Sequence, residues 1–366
     1  MTSRLCLDKV NNILSHAECF QASMKDLRSK RDQTSGRRRR FKTNKLKMGH
    51  GGTLDPLASG VLILGVGSGT KKLGEYTNGS TKIYEATALF GGSTTTGDSD
   101  GQLLMVTEND FITKDMLSDV RDKFVGTLSQ TPPIFSALKM NGKPLYEYAR
   151  EGLPLPRPIK PRTVHIYKLD LADDCLSTNH DFKFLKSEVC EDGSILVDKL
   201  SKNPTLNDHK LSFSEEYMKN AKEEDKNEKP IEPRTLEDLK KYESNNYRAP
   251  LLHFNAEVSS GTYIRSLISD FARALGSSAY MVALTRQKQS EWLLGQNCFE
   301  LSDFEQLPEE VWVPVLKNVF EKGSEVNVSK ELEEARKSIP SINDTETVVD
   351  THSQEGDLAT DEPKTI

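Results

Sequence analysis

Asp55 stands in the run His50-Gly51-Gly52-Thr53-Leu54-Asp55-Pro56-Leu57-Ala58-Ser59-Gly60, one carboxylate in a glycine-flanked turn directly before a proline. Glycine lets the backbone approach a ligand closely, and proline fixes φ and removes a donor. The Asp55 side chain is therefore expected at a rigid corner, where a carboxylate can act as a nucleophile or an acid-base group. An Asp-Pro pair is also a preferred N-cap and first helical position, and the local sequence by itself favours that structural role. A decision between the two needs partners from elsewhere in the chain.

The elements that must supply those partners follow from periodicity. Leu7, Val10, Ile13 and Leu14 at helical spacing predict a short helix near the start. The apolar run Val61 to Val66 reads as a buried strand, followed by a short helix near Lys72 to Thr77. Gly65, Gly67 and Gly69 do not make a dinucleotide or phosphate loop, because their spacing is G-x-G-x-G and Lys71 lacks the glycines a Walker sequence requires. Strict alternation from Lys82 to Phe90 predicts a strand with Tyr84, Ala86, Ala88 and Phe90 on one face. Gly97 to Gly101 reads as a polar turn, Thr113 to Phe124 as a helix, Ser129 to Ser136 as a proline-interrupted loop, Tyr146 to Glu151 as a short helix and Val164 to Leu171 as a strand. Further on, Leu251 to Val258 is an alternating strand, and Ser259 to Thr262 a turn. After it, Ile264, Leu267, Ile268, Phe271 and Leu275 form the stripe of an amphipathic helix, and Tyr280 to Arg286 is a last strand. The sum is a mixed α/β chain around one sheet, without internal repeats.

Composition bounds the function. The 366 residues are 36% hydrophobic and 28% charged, enough for a sizeable core with solvated segments. No apolar run approaches the length of a membrane span and the first thirty residues hold no secretory segment, so an intracellular protein is expected. Cys6, Cys19, Cys175, Cys190 and Cys298 are odd in number and scattered without Cys-x-x-Cys spacing, which predicts thiols rather than disulfides or a zinc site. The net charge of -6 is uneven: Arg28 to Lys47 holds ten Lys or Arg against Asp32 alone, a net +9, while Asp344 to Ile366 carries a net -6. The acidic end reads as disordered; the basic block suits a polyanion contact, a nuclear import signal or a solvated loop, and its charge alone leaves these three open.

Four segments resemble, in order and in detail, the TruB family of tRNA pseudouridine synthases. They are the His50 to Gly60 run; Lys82-Ile83-Tyr84-Glu85-Ala86; Gln130-Thr131-Pro132-Pro133-Ile134-Phe135-Ser136-Ala137-Leu138-Lys139, continued by Gly142, Tyr146, Ala149 and Arg150; and Ser260-Gly261-Thr262-Tyr263-Ile264-Arg265-Ser266-Leu267. The resemblance spans about Met1 to Arg286, and the basic and charged insertions resemble the fungal, eukaryotic branch. It implies a pseudouridine synthase fold, mixed α+β, with a central, mostly antiparallel sheet flanked by helices. The corresponding organisation is a catalytic domain in two parts, 1–171 (with the basic insertion 28–47) and 248–320. A charged, partly disordered insertion, 172–247, separates them, and a charged tail, 321–366, follows.

By the same resemblance the activity is isomerisation of uridine to pseudouridine at position 55 in the T-loop of tRNA, without cofactor or metal. Asp55 is the implied catalytic carboxylate, with attack on the base, attack on the sugar and removal of a sugar proton all open as its mode. Arg265 matches the position that pairs with the aspartate and fixes it by a two-pronged contact. Tyr84 is implied to stack on the target base and to be a candidate base late in the reaction. His50 matches the residue that fills the space a flipped base vacates, and Tyr263 and Leu284 match positions lining the uridine pocket. Lys82, Lys139 and the basic block, Arg37, Arg38, Arg39 and Arg40 included, are candidate phosphate contacts. Without the motifs, Arg265 would read as a surface arginine, and Tyr84 and Leu284 as ordinary core residues.

The expected partner is tRNA at its elbow, with other RNAs carrying a T-loop-like motif as further candidates, and a monomer in the nucleus, with the mitochondrion as a second compartment. The family opens with a strand and a Lys-Pro-x-Gly sequence before a Thr-Ser pair, whereas this sequence opens at Met1-Thr2-Ser3. That first strand is expected to be missing, through too late a start. The competing expectation is a chaperone that binds and refolds the tRNA elbow, with catalysis lost or secondary because that strand is absent.

Overall fold

The computed structural model describes residues 1–33, 45–186, 203–223, 230–234, 242 and 246–338. Chain contacts divide it into two compact units, Met1–Leu294 and Gly295–Ile366. The first unit holds helices α1 (Ser3–His16) and α2 (Gln21–Gln33), strands β1 (Met48–His50), β2 (Ser59–Gly60) and β3 (Leu64–Val66), and α3 (Leu73–Asn78). Then come β4 (Lys82–Phe90), β5 (Gly92–Thr94), β6 (Leu103–Val106), α4 (Lys114–Phe124), β7 (Gly126–Gln130), β8 (Lys139–Met140), β9 (Lys143–Pro144), α5 (Leu145–Arg150) and β10 (Arg162–Leu171). It closes with α6 (Glu215–Asn220), β11 (Leu251–Val258), α7 (Ile264–Leu275), β12 (Ala279–Gln289) and β13 (Trp292–Leu293).

A seven-stranded sheet runs in the order β13-β12-β4-β11-β10-β7, antiparallel at every step, with β2 added to β12 in parallel. The architecture is thus the mixed α/β class, with a mostly antiparallel sheet and flanking helices. Period-2 patterning decides which face each residue takes. On β4, Tyr84, Ala86, Ala88 and Phe90 join Leu252, Phe254, Ala256 and Val258 of β11 in the main core, under α4 and α7. Both helices are marked locally. Thr113 caps α4 by accepting from the Met116 N–H at 3.3 Å, and Gly276, in the left-handed conformation, ends α7. Phe124 of α4 stacks on Phe271 of α7 with ring centroids 5.9 Å apart, and each buried aromatic contributes on the order of 1.5–3 kcal/mol.

The opposite face buries Leu89, Leu251, Tyr280 and Val282 against Phe184 and Tyr242, which belong to the expected insertion 172–247. Leu206, Leu211 and Phe213 are buried as well, so the described parts of that segment are packed against the sheet domain. Its residues 187–202, like Arg37, Arg38, Arg39, Arg40 and the acidic end, lie outside the described residues, and so does Cys190. No disulfide joins the described cysteines.

Two local expectations change. The predicted strand 61–66 is confined to Leu64–Val66, because Val61 is taken by Arg286, whose carbonyl accepts the Val61 N–H at 2.9 Å. Ser129 and Gln130, expected in a loop, end β7, because pairing with Thr163 and Arg162 of β10 outweighs a segment with little apolar content.

The second unit contains α8 (Leu301–Gln306), α9 (Glu309–Lys322) and α10 (Val328–Lys337). Residue 320, the expected end of the catalytic part, falls inside α9. Trp312, Val315, Val328 and Leu332 are buried, with Phe304 edge-on to Trp312 at 5.3 Å. Among the described residues no helix is long and apolar enough to cross a membrane.

Candidate active site

The Asp55 loop is held at both ends. At its exit, Ser59 and Gly60 pair with Thr285 and Arg286 of β12, and the Arg286 Nε donates to the Val61 carbonyl at 2.7 Å. Gly60 has φ +98°, and a Cβ there would lie 2.3 Å from the Arg286 carbonyl oxygen, so only glycine fits. Asp55 and Pro56 do not cap a helix. The Ala58 N–H donates to the Asp55 carbonyl at 2.9 Å, closing one turn, and the chain is then drawn into β2 before a helix can form. The proline fixes the turn, and the sheet ends it.

Arg265, in the first turn of α7, lies behind the loop. Its Nε donates to Asp55 Oδ2 at 2.8 Å and its Nη2 to Asp55 Oδ1 at 3.1 Å, the fork geometry suited to a carboxylate. Its Nη1 donates to the Thr96 carbonyl at 2.6 Å, and Nη2 also to the Phe135 carbonyl at 2.8 Å. The guanidinium is 3% exposed, whereas the Asp55 side chain is 29% exposed. Asp98, in the polar turn after β5, places Oδ2 3.6 Å from the Arg265 Nε, and its Oδ1 accepts from Thr96 Oγ1 at 2.6 Å. Burial pushes the Asp98 carboxyl up from its ordinary range, and Arg265 opposes that shift.

Asp55 opens into a cleft of about 590 Å³ lined by Leu54, Lys82, Tyr84, Tyr263, Leu284 and Arg286 among others. That size suits a nucleoside-sized group. Tyr84 sits on β4 and Leu284 and Arg286 on the adjoining β12, all buried, so the sheet forms one wall. Burial pushes the Tyr84 phenol up, and the neighbouring Arg286 guanidinium opposes this. Tyr263 is locked from behind: its N–H donates to Gln130 Oε1 at 2.8 Å, and Gln130 Nε2 donates to its carbonyl at 3.1 Å. Lys82 is buried, with Nζ donating to Ser80 Oγ at 2.8 Å, and burial, reinforced by Arg286, pushes its ammonium down to about 8.

The family profile described as TruB family pseudouridylate synthase (N terminal domain) matches residues 38–194. The tRNA pseudouridine synthase 4 of Saccharomyces cerevisiae is 44% identical over 99% of this chain and 92% of its own length. The chain belongs to the TruB family of pseudouridylate synthases. The tRNA pseudouridine synthase 4 of Schizosaccharomyces pombe is 36% identical over 83% of this chain and 79% of its own length. The tRNA pseudouridine synthase B of Blochmanniella pennsylvanica is 47% identical, but over only 35% of this chain and 48% of its own length.

In this TruB-family chain, the structure gathers Asp55, Tyr84, Tyr263, Leu284 and Lys82 around one cleft, with Arg265 behind Asp55 rather than in the lining. His50 is half-buried on β1 and stands outside the cleft lining; its Nδ1 is buried without a hydrogen-bond partner among the described residues, and burial pushes its imidazole down. Lys139 is exposed on β8, next to Leu138, which lines the cleft. Arg286, Asp98 and Gln130 were not singled out as site residues from the sequence. A charged residue two places from Leu284 on an apolar strand was the available signal for Arg286. Among the described residues no group of three or more His, Cys, Asp or Glu side chains is placed to hold a metal ion.

Proposed function

We propose that this chain isomerises uridine to pseudouridine at position 55 in the T-loop of tRNA, with Asp55 as the catalytic carboxylate. The observation that carries this reading is the two-pronged Arg265–Asp55 pair, its guanidinium buried and its carboxylate open to a cleft with Tyr84 and Leu284 in its wall. The names of the relatives support tRNA as the substrate.

The reaction breaks the glycosidic C–N bond, turns the base while it is still held, and joins its C5 carbon to the same sugar carbon; the proton lost from C5 balances the one gained at the freed nitrogen. Such a rearrangement needs one well-oriented anion and a tight enclosure rather than a redox step. Arg265 orients the carboxylate, and its four hydrogen bonds leave it little freedom to turn away. The target base must leave its stack to reach Asp55, and Tyr84 offers the aromatic surface that receives it. The raised phenol of Tyr84 favours this stacking role over that of a proton acceptor. Lys82 and Lys139 supply positive charge within and beside the cleft for phosphates.

The test is incubation of unmodified tRNA with the full chain and its Asp55→Asn variant, with pseudouridine mapped chemically and tRNA affinity measured. Asp55→Asn is expected to yield no product while its Kd for tRNA stays within about threefold of the parent. Pseudouridine formed by Asp55→Asn would sink the catalytic assignment.

A further inference from the structure

Helix α1 hydrogen-bonds to the Asp55 loop through the Ser3 side chain. Ser3 is 5% exposed, and its hydroxyl donates to the Leu54 carbonyl at 3.1 Å while accepting the Leu54 N–H at 2.8 Å. A serine hydroxyl has capacity for both bonds at once. Deeper in a helix a serine commonly bonds back to a carbonyl of the preceding turn. Ser3 is the first residue of α1, and Thr2 before it serves as the cap by accepting the Leu5 N–H at 3.2 Å. The Ser3 hydroxyl thus has no helix carbonyl behind it and turns to the loop.

The other end of α1 makes a similar clamp at a different place. Asn11 Nδ2 donates to the Leu46 carbonyl at 2.9 Å, Ser15 Oγ accepts the Leu46 N–H at 3.2 Å, and Ser15 also donates to Asn11 Oδ1 at 3.0 Å. Ser3 and Ser15 are twelve residues apart, about 18 Å along the helix. One rigid rod therefore holds the backbone at Leu46 and at Leu54, and Leu54 is the residue directly before Asp55.

We propose that Ser3 is a positioning residue for the Asp55 reaction, its hydroxyl standing in for a strand partner at the peptide that leads into the carboxylate. Arg265 orients the Asp55 side chain; Ser3 holds the entry of its main chain, and the Gly60 contact with β12 holds the exit. The proposal rests on the reading of Asp55 as catalytic.

The experiment is single-turnover conversion of unmodified tRNA by the full chain, with tRNA Kd and Tm measured alongside. Ser3→Ala is expected to slow conversion at least about tenfold with Kd within about twofold, since a displacement near 1 Å at a reacting group costs about that much or more. Ser15→Ala removes the equivalent hydroxyl far from Asp55 and is expected to lower Tm while leaving the conversion rate within about twofold. A parental rate in Ser3→Ala, or an equal loss of rate in Ser15→Ala, overturns the proposal. If Ser3→Ala does not fold, Ser3→Cys decides, because a thiol of similar size hydrogen-bonds weakly: a rate loss of about threefold or more supports the role and a smaller one overturns it. Asp55→Asn in the same series separates the two readings. Product surviving in it fails the catalytic assignment, whereas loss of product there with a parental rate in the Ser3 variants fails only the brace.

Discussion

Arg265 and Asp55, 210 residues apart in the chain, face each other through two near-parallel hydrogen bonds of 2.8 and 3.1 Å. The same guanidinium closes on the Thr96 and Phe135 carbonyls, and Asp98 stands beside it. One cation therefore serves a carboxylate open to the cleft, a second that is buried, and two backbone carbonyls.

Arg265→Lys keeps the charge and loses the fork. A lysine cannot reach both Asp55 oxygens and both carbonyls, so buried acceptors are left unpaired. The expected outcome is a loss of roughly 2–4 kcal/mol in denaturant-measured stability together with a fall in turnover of about a hundredfold or more. A variant that unfolds at the parental denaturant concentration would contradict the buried network.

Lys82 makes stability depend on pH. Its folded-state value of about 8 lies below the ordinary 10.5. Between these two the unfolded chain binds a proton that the folded chain releases, so stability from this group rises with pH from about 8 to 10.5, and its charged form is costly below that window. Compared with Lys82→Met, the parent should gain up to about 1.4 kcal/mol per pH unit between pH 8 and 10. Urea unfolding of both proteins at several pH values checks this, and a constant difference between them would refute it.

Gly60→Ala should damage fold and activity together. A Cβ at φ +98° would press on the Arg286 carbonyl oxygen, strip β2 from β12 and displace the loop that carries Asp55. A cost above about 2 kcal/mol is expected. Gly67 also has positive φ, +56°, but has nothing within 4 Å of a Cβ, and Gly67→Ala should cost roughly 1 kcal/mol with activity retained. Tm and conversion rates of the pair give the answer; equal losses would show that contact with Arg286 is not the cause.

Much of the sheet was legible because its patterns are local. The alternation over Lys82–Phe90 and Leu251–Val258 and the stripe of Ile264–Leu275 correspond to β4, β11 and α7 with the same bounds. Gly126–Gln130 carries little apolar content and becomes a strand only beside β10, so no window of sequence announces it. The Asp55-Pro56 pair misled for the same reason: as a local signal it starts a helix, and the outcome was decided by a strand more than two hundred residues away. Arg286, Asp98, Gln130 and Ser3 carry no local mark of a site role, because each acts through a partner distant in sequence.

The sequence by itself determined the residue types, the order of four motifs and the period of the main strands and of the helix that carries Arg265, since these depend on neighbours within a few residues. Only the tertiary structure decided that the Asp55 corner is a turn pinned between Ser3 and Arg286, and that Lys82 is buried at the cleft while His50 stands outside its lining. Burial and hydrogen-bond pairing are set by groups that folding brings together across the sheet, and their energies depend on that proximity rather than on position in the chain.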